Sequence, residues 1–288
     1  MVAGFRRSLS SQNPISNRPS PPAPEKSYHV RSTSLPCRSH PLISQLKDEI
    51  NVLRAWDSYK PDTRTSAWLC DGLSRLKNVL NALDDLLLLP QTQDSLRPRS
   101  NWVQQLLQDS LHFVDVYGIF RASLLALKEE QLAAQVALRR RDDSMIASYV
   151  KARKRMDKQM AQLVSVVRCI GRCSVPGTDG DVELDGVLRD VNELTVSVSI
   201  ALFNGISSPS MSSKSWMGWK KNKKEEGIQE VQDAGLESLR KKGEEEVKMA
   251  LRRLQELEDC IGGIESGSER VFRSLMNTRV SLLNILTQ

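Results

Sequence analysis

The sequence predicts an all-α protein, an elongated antiparallel helical bundle with long heptad-patterned helices and a disordered N-terminal arm. Aromatic residues make up only 5% of the 288 residues, whereas β-proteins are rich in aromatic and β-branched side chains. After residue 40, apolar residues recur at spacings of three and four, which is the period of a helix with one buried face. Prolines and glycines separate these periodic stretches.

The first two predicted helices carry narrow apolar stripes. The first begins at Pro41, because proline suits the first turn of a helix, and residues 60–62 break it. The second stripe is an all-leucine heptad seam, typical of a coiled coil, and Pro90 ends it. The stripe residues are Leu42, Leu46, Ile50 and Leu53 in the first helix, and Leu69, Leu73, Leu76, Leu80, Leu83 and Leu87 in the second.

A third helix is predicted from about Pro98, with apolar residues repeating every seven positions. Gly118 lies inside this repeat, which suggests a kink or a close helix contact there. The predicted inward residues are Val103, Leu106, Phe113, Tyr117, Phe120, Leu124, Leu127, Ala134 and Leu138.

A fourth helix is predicted from Ser144 to Arg172, and a fifth from Leu184 to Ala201. The β-branched run Thr195–Ile200 favours a strand by local propensity, but the apolar period fits a helix better. The predicted inward residues are Tyr149, Met156, Met160, Leu163, Val167 and Ile170 in the fourth helix, and Leu184, Val187, Val191, Leu194, Val198 and Ala201 in the fifth.

The C-terminal residues from Val247 onward form six heptads whose two inward positions are apolar or threonine, except at Ser268. The register continues through Gly262, Gly263 and Gly267, so we expect one helix of roughly 60 Å, crossed closely by another at the glycines. The leucine-rich seams favour a bundle within one chain over an intermolecular coiled coil, and the oligomeric state stays open.

The composition divides the chain into four regions. Residues 1–38 form an arm with too little apolar surface to fold, although its Ser/Arg-rich composition is also that of a transit peptide. Residues 39–204 form the helical bundle, 205–227 a flexible Ser/Lys-rich linker, and 228–288 the long C-terminal helix that packs on the bundle.

Net charge and cysteine content indicate the class of ligand and the cell compartment of such a chain. The net charge is +6, and residues 1–40 contribute six basic and one acidic side chain, or +5 of it, so the body is nearly neutral and a nucleic-acid-binding core is disfavoured. Five cysteines without an apolar leader favour an intracellular, cytoplasmic protein, with nucleus or plastid as alternatives. The sequence has no run of about 18 apolar residues, which predicts no membrane span.

Three segments resemble a known family. Tyr28–Ile43 reads YHVRSTSLPCRSHPLI, Asn101–Gly118 reads NWVQQLLQDSLHFVDVYG, and Thr278–Leu286 reads TRVSLLNIL. Together they resemble the plant-specific BYPASS-like family. The resemblance implies an all-helical protein without known catalytic activity, associated with root and shoot development, and it carries over no catalytic or cofactor residues.

The arm contains a phospho-recognition candidate, Arg31–Pro36, which reads RSTSLP. Arg31 lies three residues before Ser34, as basophilic kinases require, and with Pro36 the phosphorylated segment matches the motif that 14-3-3 proteins bind. Phosphate adds a charge of about −1.5 to −2 that an arginine cluster on the partner can pair with. Ser10 has a similar core without the proline. The alternative is a chance match in a Ser/Arg-rich arm.

Two other segments could contact phosphate groups. In the linker, Trp216, Trp219, Lys220 and Lys221 have the composition of a membrane-surface anchor; the alternative is a loop whose tryptophans pack on the bundle. The basic residues of Arg139–Arg155 resemble a nuclear-import signal or a nucleic-acid contact, although a solvated helix face is the favoured interpretation.

No segment indicates catalysis or a bound metal. Asp181, Glu183 and Asp185 imitate the start of an EF-hand loop, but Asn192 stands at the twelfth position, where calcium needs a bidentate carboxylate. The favoured interpretation is an acidic start of a helix. The sequence therefore predicts a non-enzymatic plant scaffold or interaction protein with a phospho-regulated arm and no cofactor. The alternatives are a peripheral membrane adaptor and a nucleus-targeted nucleic-acid-associated protein.

Overall fold

A computed structural model describes residues 40–59, 61, 63–170, 182–207, 227–234 and 243–287. Every regular element in these ranges is helical, which confirms the all-α prediction. The elements are α1 (Pro41–Ser58), α2 (Ser66–Leu87), α3 (Pro90–Leu96), a 3-10 turn (Arg97–Arg99), α4 (Ser100–Arg140), α5 (Asp143–Ile170), α6 (Val182–Ile206), α7 (Gln229–Asp233) and α8 (Glu244–Thr287).

Local polar contacts set several helix boundaries. His40 Nδ1 accepts a hydrogen bond from the Leu42 amide, so α1 begins at Pro41 as predicted. Thr65 caps α2 by accepting from the Trp68 amide at 3.3 Å. Arg141 ends α4 in the left-handed conformation, with φ of 57°. These contacts satisfy backbone groups that helix ends leave without partners.

The predicted apolar stripes form the core. Nearly all of their members are buried, including Ser268, the polar exception in the last heptads. The β-branched run of α6 is helical because burial of its apolar face outweighs local propensity. The predicted inward residues that stay half-buried are Leu42, Leu106, Ala201 and Val247.

The successive pairs α1–α2 and α4–α5 pack antiparallel, as predicted for short connections. Trp56 and Trp68 stack at 4.4 Å across the α1–α2 turn. However, α2 and α8 run in the same direction, because successive contacts between them advance together. Asn81 meets Ser274 at 2.8 Å, and Ser281 meets Asp84 at 2.5 Å further along both helices.

Glycines explain how closely α2 and α8 approach. A Cβ on Gly267 would lie 2.9 Å from Leu73 Cδ1, and one on Gly263 would lie 3.4 Å from Cys70 Sγ. The predicted close crossing is therefore confirmed at these two positions and is wrong at Gly262, where an added Cβ would meet nothing within 4 Å. The close helix contact suggested at Gly118 is wrong, because an added Cβ there would meet nothing within 4 Å, and α4 continues through this residue. The suggested kink stays a prediction.

Ion pairs occupy the acidic start of α6. Arg99 pairs with both carboxylate oxygens of Asp185, at 2.5 and 2.7 Å. Lys47 pairs with Glu183 at 2.5 Å. These carboxylates therefore anchor α6 to α1 and to the start of α4, and Asp181 lies outside the described residues.

One helical stretch, Pro90–Arg140, is long and apolar enough to cross a membrane by length and composition. Its best 18-residue window has a mean hydropathy of 1.3, and 44% of that window is buried in the bundle. The prediction of no membrane span stays a prediction, because this stretch qualifies by length and composition alone. A helix packed in a core can have the same composition. The residues that α4 exposes to solvent therefore say more about membrane contact than its overall composition does.

Candidate functional site on the outer face of helices α4 and α5

The residues singled out in the arm and the linker lie outside the described residues, so their roles stay predictions. The arm positions fall within residues 1–39 and the linker positions within 208–226. These positions are Ser10, Arg31, Ser34 and Pro36 in the arm, and Trp216, Trp219, Lys220 and Lys221 in the linker.

The basic stretch Arg139–Arg155 is described, and the structure divides it. Lys151, Lys154 and Arg155 are exposed on α5. Arg153 is only 8% exposed, and its Nη2 donates to the Ile206 carbonyl at 3.1 Å. Arg153 therefore caps the C-terminal end of α6, where a cation is favourable, and does not belong to the basic surface that the sequence predicts.

A second feature, which the sequence analysis missed, is the side of α4 that points away from the bundle. Between Gly118 and Val136 its residues follow helical spacing, and one of them, Glu129, is charged. Leu125 is 52% exposed and Leu132 is 53% exposed. We call these residues the α4 outer face; they are Gly118, Ala122, Leu125, Ala126, Glu129, Leu132, Ala133 and Val136.

The charged residues that flank this face on the α8 side are engaged with α8. Lys128 Nζ pairs with Glu265 at 2.7 Å, and Arg121 pairs with Glu269. The Arg121 guanidinium also lies 5.1 Å from the ring centre of Phe272. These contacts draw both cations toward α8, so the α4 outer face stays apolar. A contiguous exposed patch of this kind marks an interaction site more often than a scattered exposed leucine does.

The outward side of the neighbouring helix α5 is basic. Between Ser144 and Ile170 the sequence contains a single acidic residue, Asp157, which is half-buried. Arg155 reaches toward Glu130 of α4 at 3.9 Å, so the basic side and the α4 outer face adjoin. We call the exposed cations of this helix the α5 basic face; they are Lys151, Lys154, Arg155, Lys158 and Arg168.

Within the part of the chain that the structure describes, a grouping of nucleophilic side chains lies elsewhere, where α2, α7 and α8 meet. Ser66 Oγ donates to Glu230 at 2.7 Å and lies 3.1 Å from Cys260 Sγ. Burial raises the pKa of both Cys70 and Cys260, which disfavours the thiolate that nucleophilic chemistry requires. Glu230 also accepts from the Ser66 amide, so the grouping caps α2.

The comparisons with known proteins give one match. The family model described as Protein BPS1 matches residues 72–285, from the first turns of α2 nearly to the end of α8. No curated protein and no solved structure matches the chain significantly.

Proposed function

The chain belongs to the Protein BPS1 family, and we propose that it is a non-enzymatic helical adaptor that binds an anionic membrane surface through the α4 outer face and the α5 basic face. Family membership implies a plant protein related to development. The observation that carries the proposal is the apolar strip of α4 beside a row of cations that an acid-poor helix presents.

The two faces complement each other at a membrane surface. Apolar side chains such as Leu125 and Leu132 gain by leaving water for the boundary between headgroups and acyl chains. Each nearby lysine or arginine adds roughly 1 kcal/mol of attraction to an anionic leaflet. Long cationic side chains such as Lys158 can reach the headgroups while the helix lies deeper. Glu129 is the one acid on the α4 outer face that opposes this attraction.

Nucleic acid is a weaker candidate for the same surface. Binding to a phosphate backbone depends on the number of cations, and it gains little from an adjacent apolar strip. The burial of Arg153 removes one cation from the surface. A charge introduced on the α4 outer face should therefore weaken binding to membranes and leave binding to duplex DNA unchanged.

The two chain ends that border residues 208–226 lie close to α5. The Ile228 amide donates to the Gly205 carbonyl at 2.9 Å, and Arg153 of α5 binds the Ile206 carbonyl. Arg153 is buried and does not belong to the α5 basic face. A second contribution to membrane binding from the linker residues Trp216, Trp219, Lys220 and Lys221 is therefore proposed from their composition alone.

We further propose that the arm is the regulated part of the adaptor. Phosphorylation of Ser34 would create a docking segment for 14-3-3-type proteins, with Arg31 and Pro36 as its specificity elements. A pull-down with a 14-3-3 protein from plant tissue should recover the wild type and Ser10→Ala, and should lose Ser34→Ala or phosphatase-treated protein.

The membrane proposal is tested by sedimentation of the full chain with vesicles. We expect sedimentation with phosphatidylcholine vesicles that contain phosphatidylserine, little with phosphatidylcholine alone, and a decrease at high salt because counter-ions screen the lysines. The absence of sedimentation with anionic vesicles at low salt would end the proposal. Duplex DNA that binds as strongly, with no loss on Leu132→Glu, would favour the nucleic-acid alternative.

A further inference from the structure

Most cations of the α5 basic face lie within two turns of the helix. Lys151, Lys154, Arg155 and Lys158 are exposed and occupy positions i, i+3, i+4 and i+7. Residues three and four apart on a helix are neighbours, with about 5–6 Å between their Cβ atoms. Arg168 belongs to the same face but lies roughly 15 Å further along the helix axis. We call the first four residues the α5 cluster.

Two acidic side chains partly offset the positive charge of the α5 cluster. Arg155 Nη2 lies 3.9 Å from Glu130 Oε1 of α4, and the Arg155 side chain is still 75% exposed. Asp157 is half-buried and follows Lys154 by three residues, close enough for the carboxylate to interact with its ammonium group. Four cations against these two acids leave an excess of positive charge on two turns of helix.

The α5 cluster lies beside the middle of the α4 outer face. Helices α4 and α5 pack antiparallel, and the contact of Arg155 with Glu130 gives their register. Glu130 precedes Leu132, which is 53% exposed on the α4 outer face, by two residues. A lipid whose headgroup contacts the α5 cluster would therefore have its acyl chains in the leaflet that the α4 outer face enters.

The concentration of cations on two turns favours a headgroup that concentrates negative charge. Phosphatidylserine has one net charge per headgroup, and any cation near an anionic leaflet gains from that diffuse attraction. A phosphate monoester carries about −1.5 to −2 charge and three acceptor oxygens. Two monoesters on one inositol ring thus present roughly −3 to −4, and adjacent lysine and arginine donors can bind both through charge-assisted hydrogen bonds.

We propose, on the basis of the membrane function proposed above, that the α5 cluster binds the headgroup of a phosphoinositide with two phosphate monoesters on its ring. The guanidinium of Arg155, in the middle of the cluster, can donate two hydrogen bonds to one phosphate. Lys151 and Lys158 lie about 10 Å apart along the axis, and their flexible side chains can approach one headgroup from both ends. This lipid is then the preferred ligand among anionic lipids.

The test compares partition of the full chain onto two kinds of phosphatidylcholine vesicle. One kind contains phosphatidylinositol 4,5-bisphosphate, and the other contains about four phosphatidylserine molecules for each bisphosphate, so that the total charge is equal. We expect partition onto the bisphosphate vesicles to be at least about tenfold tighter, because hydrogen bonds to the phosphates add to an attraction that both vesicles share.

Two double variants with the same change in net charge locate the site. Lys151→Gln combined with Lys158→Gln should abolish the preference for the bisphosphate, because the remaining cations cannot contact both phosphates. Arg168→Gln combined with Arg253→Gln removes two exposed cations outside the α5 cluster and should leave the preference unchanged. All four positions are exposed, and circular dichroism melting checks that both variants fold.

Soluble inositol 1,4,5-trisphosphate separates a lipid ligand from a free one. It carries the same two ring phosphates and should bind at least about tenfold more weakly than the lipid, because it gains nothing from the α4 outer face. Equal affinity for both would overturn the lipid assignment.

Equal partition of the wild type onto the two vesicles, or an equal loss of preference in both double variants, would overturn the headgroup assignment. In each of these cases sedimentation with phosphatidylserine vesicles would still support the membrane function. The absence of sedimentation with either anionic vesicle would overturn both proposals.

Discussion

Helices α4 and α8 are the two longest in the described part of the chain, with 41 and 44 residues. They pack antiparallel and each buries a seven-residue repeat. Their outward sides differ. The outward side of α8 carries ion pairs one turn apart, such as Arg252 with Glu256 at 3.0 Å and Arg273 with Glu269 at 2.8 Å. The α4 outer face carries mainly leucine, alanine and valine, with Glu129 as its one charged residue.

This difference separates what the fold requires from what a ligand requires. The outward side of α8 also exposes apolar residues such as Val280, but ion pairs interrupt them, whereas Glu129 is the one charged residue of the α4 outer face. Leucines at exposed positions such as Leu125 and Leu132 gain little from folding, because their side chains stay largely in solvent. The composition of the α4 outer face therefore fits a surface that another apolar medium covers.

The largest expected effect contrasts a glycine at the α2–α8 crossing with one on the α4 outer face. Gly267→Leu should cost about 3 kcal/mol of the free energy of unfolding, because even a Cβ there lies 2.9 Å from Leu73. Gly118→Leu should not destabilise the chain and should gain up to about 1 kcal/mol from helix propensity. Urea unfolding of the two variants measures both values, and equal losses would contradict the described packing.

A smaller effect concerns membrane binding. Leu132→Glu should lower the partition of the chain onto anionic vesicles about thirtyfold, because it removes an inserted leucine and adds a charge that the lipids repel. Vesicle sedimentation over a lipid titration measures this change.

The matched control for that variant is Val280→Glu on α8. Val280 is 52% exposed and Leu132 is 53% exposed, so the two substitutions alter equally accessible apolar positions. Val280→Glu should leave partition nearly unchanged. A similar loss for both variants would mean that vesicle binding depends on general surface hydrophobicity and not on the α4 outer face.

The smallest effect is electrostatic. Lys158→Gln on the α5 basic face should weaken binding to anionic vesicles about fivefold at low salt, whereas Arg253→Gln on the exposed side of α8 should have little effect. The difference should shrink at high salt, as screening predicts. If the α8 variant loses as much affinity as the α5 variant, net charge alone governs binding.

Much of the fold could be predicted from the sequence, because regular apolar spacing determines which side of a helix is buried. The leucine seam of α2 and the continuous α8 follow from that rule, and the start of α1 follows from the preference of proline for the first turn of a helix. The parallel pairing of α2 with α8 could not be predicted, since periodicity defines a buried face without naming its partner.

The candidate site was less predictable, for related reasons. A lysine-rich and arginine-rich run is ordinarily solvated. The sequence therefore does not distinguish Arg153, which caps α6, from its exposed neighbours. A helix that is apolar on all sides resembles a fully buried one, and burial alone reveals that Leu125 and Leu132 face outward. The roles of Ser34 and of Trp216 stay predictions, because both residues lie outside the described ranges.

The central claim is tested most directly by mapping which residues touch lipid in the unmodified full chain. Anionic vesicles that contain a lipid with a photoreactive diazirine in its acyl chain are irradiated with bound protein, and the adducts are located by peptide mass spectrometry. We predict adducts between Gly118 and Val136 and a lower yield on the exposed side of α8 between Arg252 and Arg273. Equal yields on the two helices, or no adduct on the α4 outer face, would contradict the proposed membrane surface.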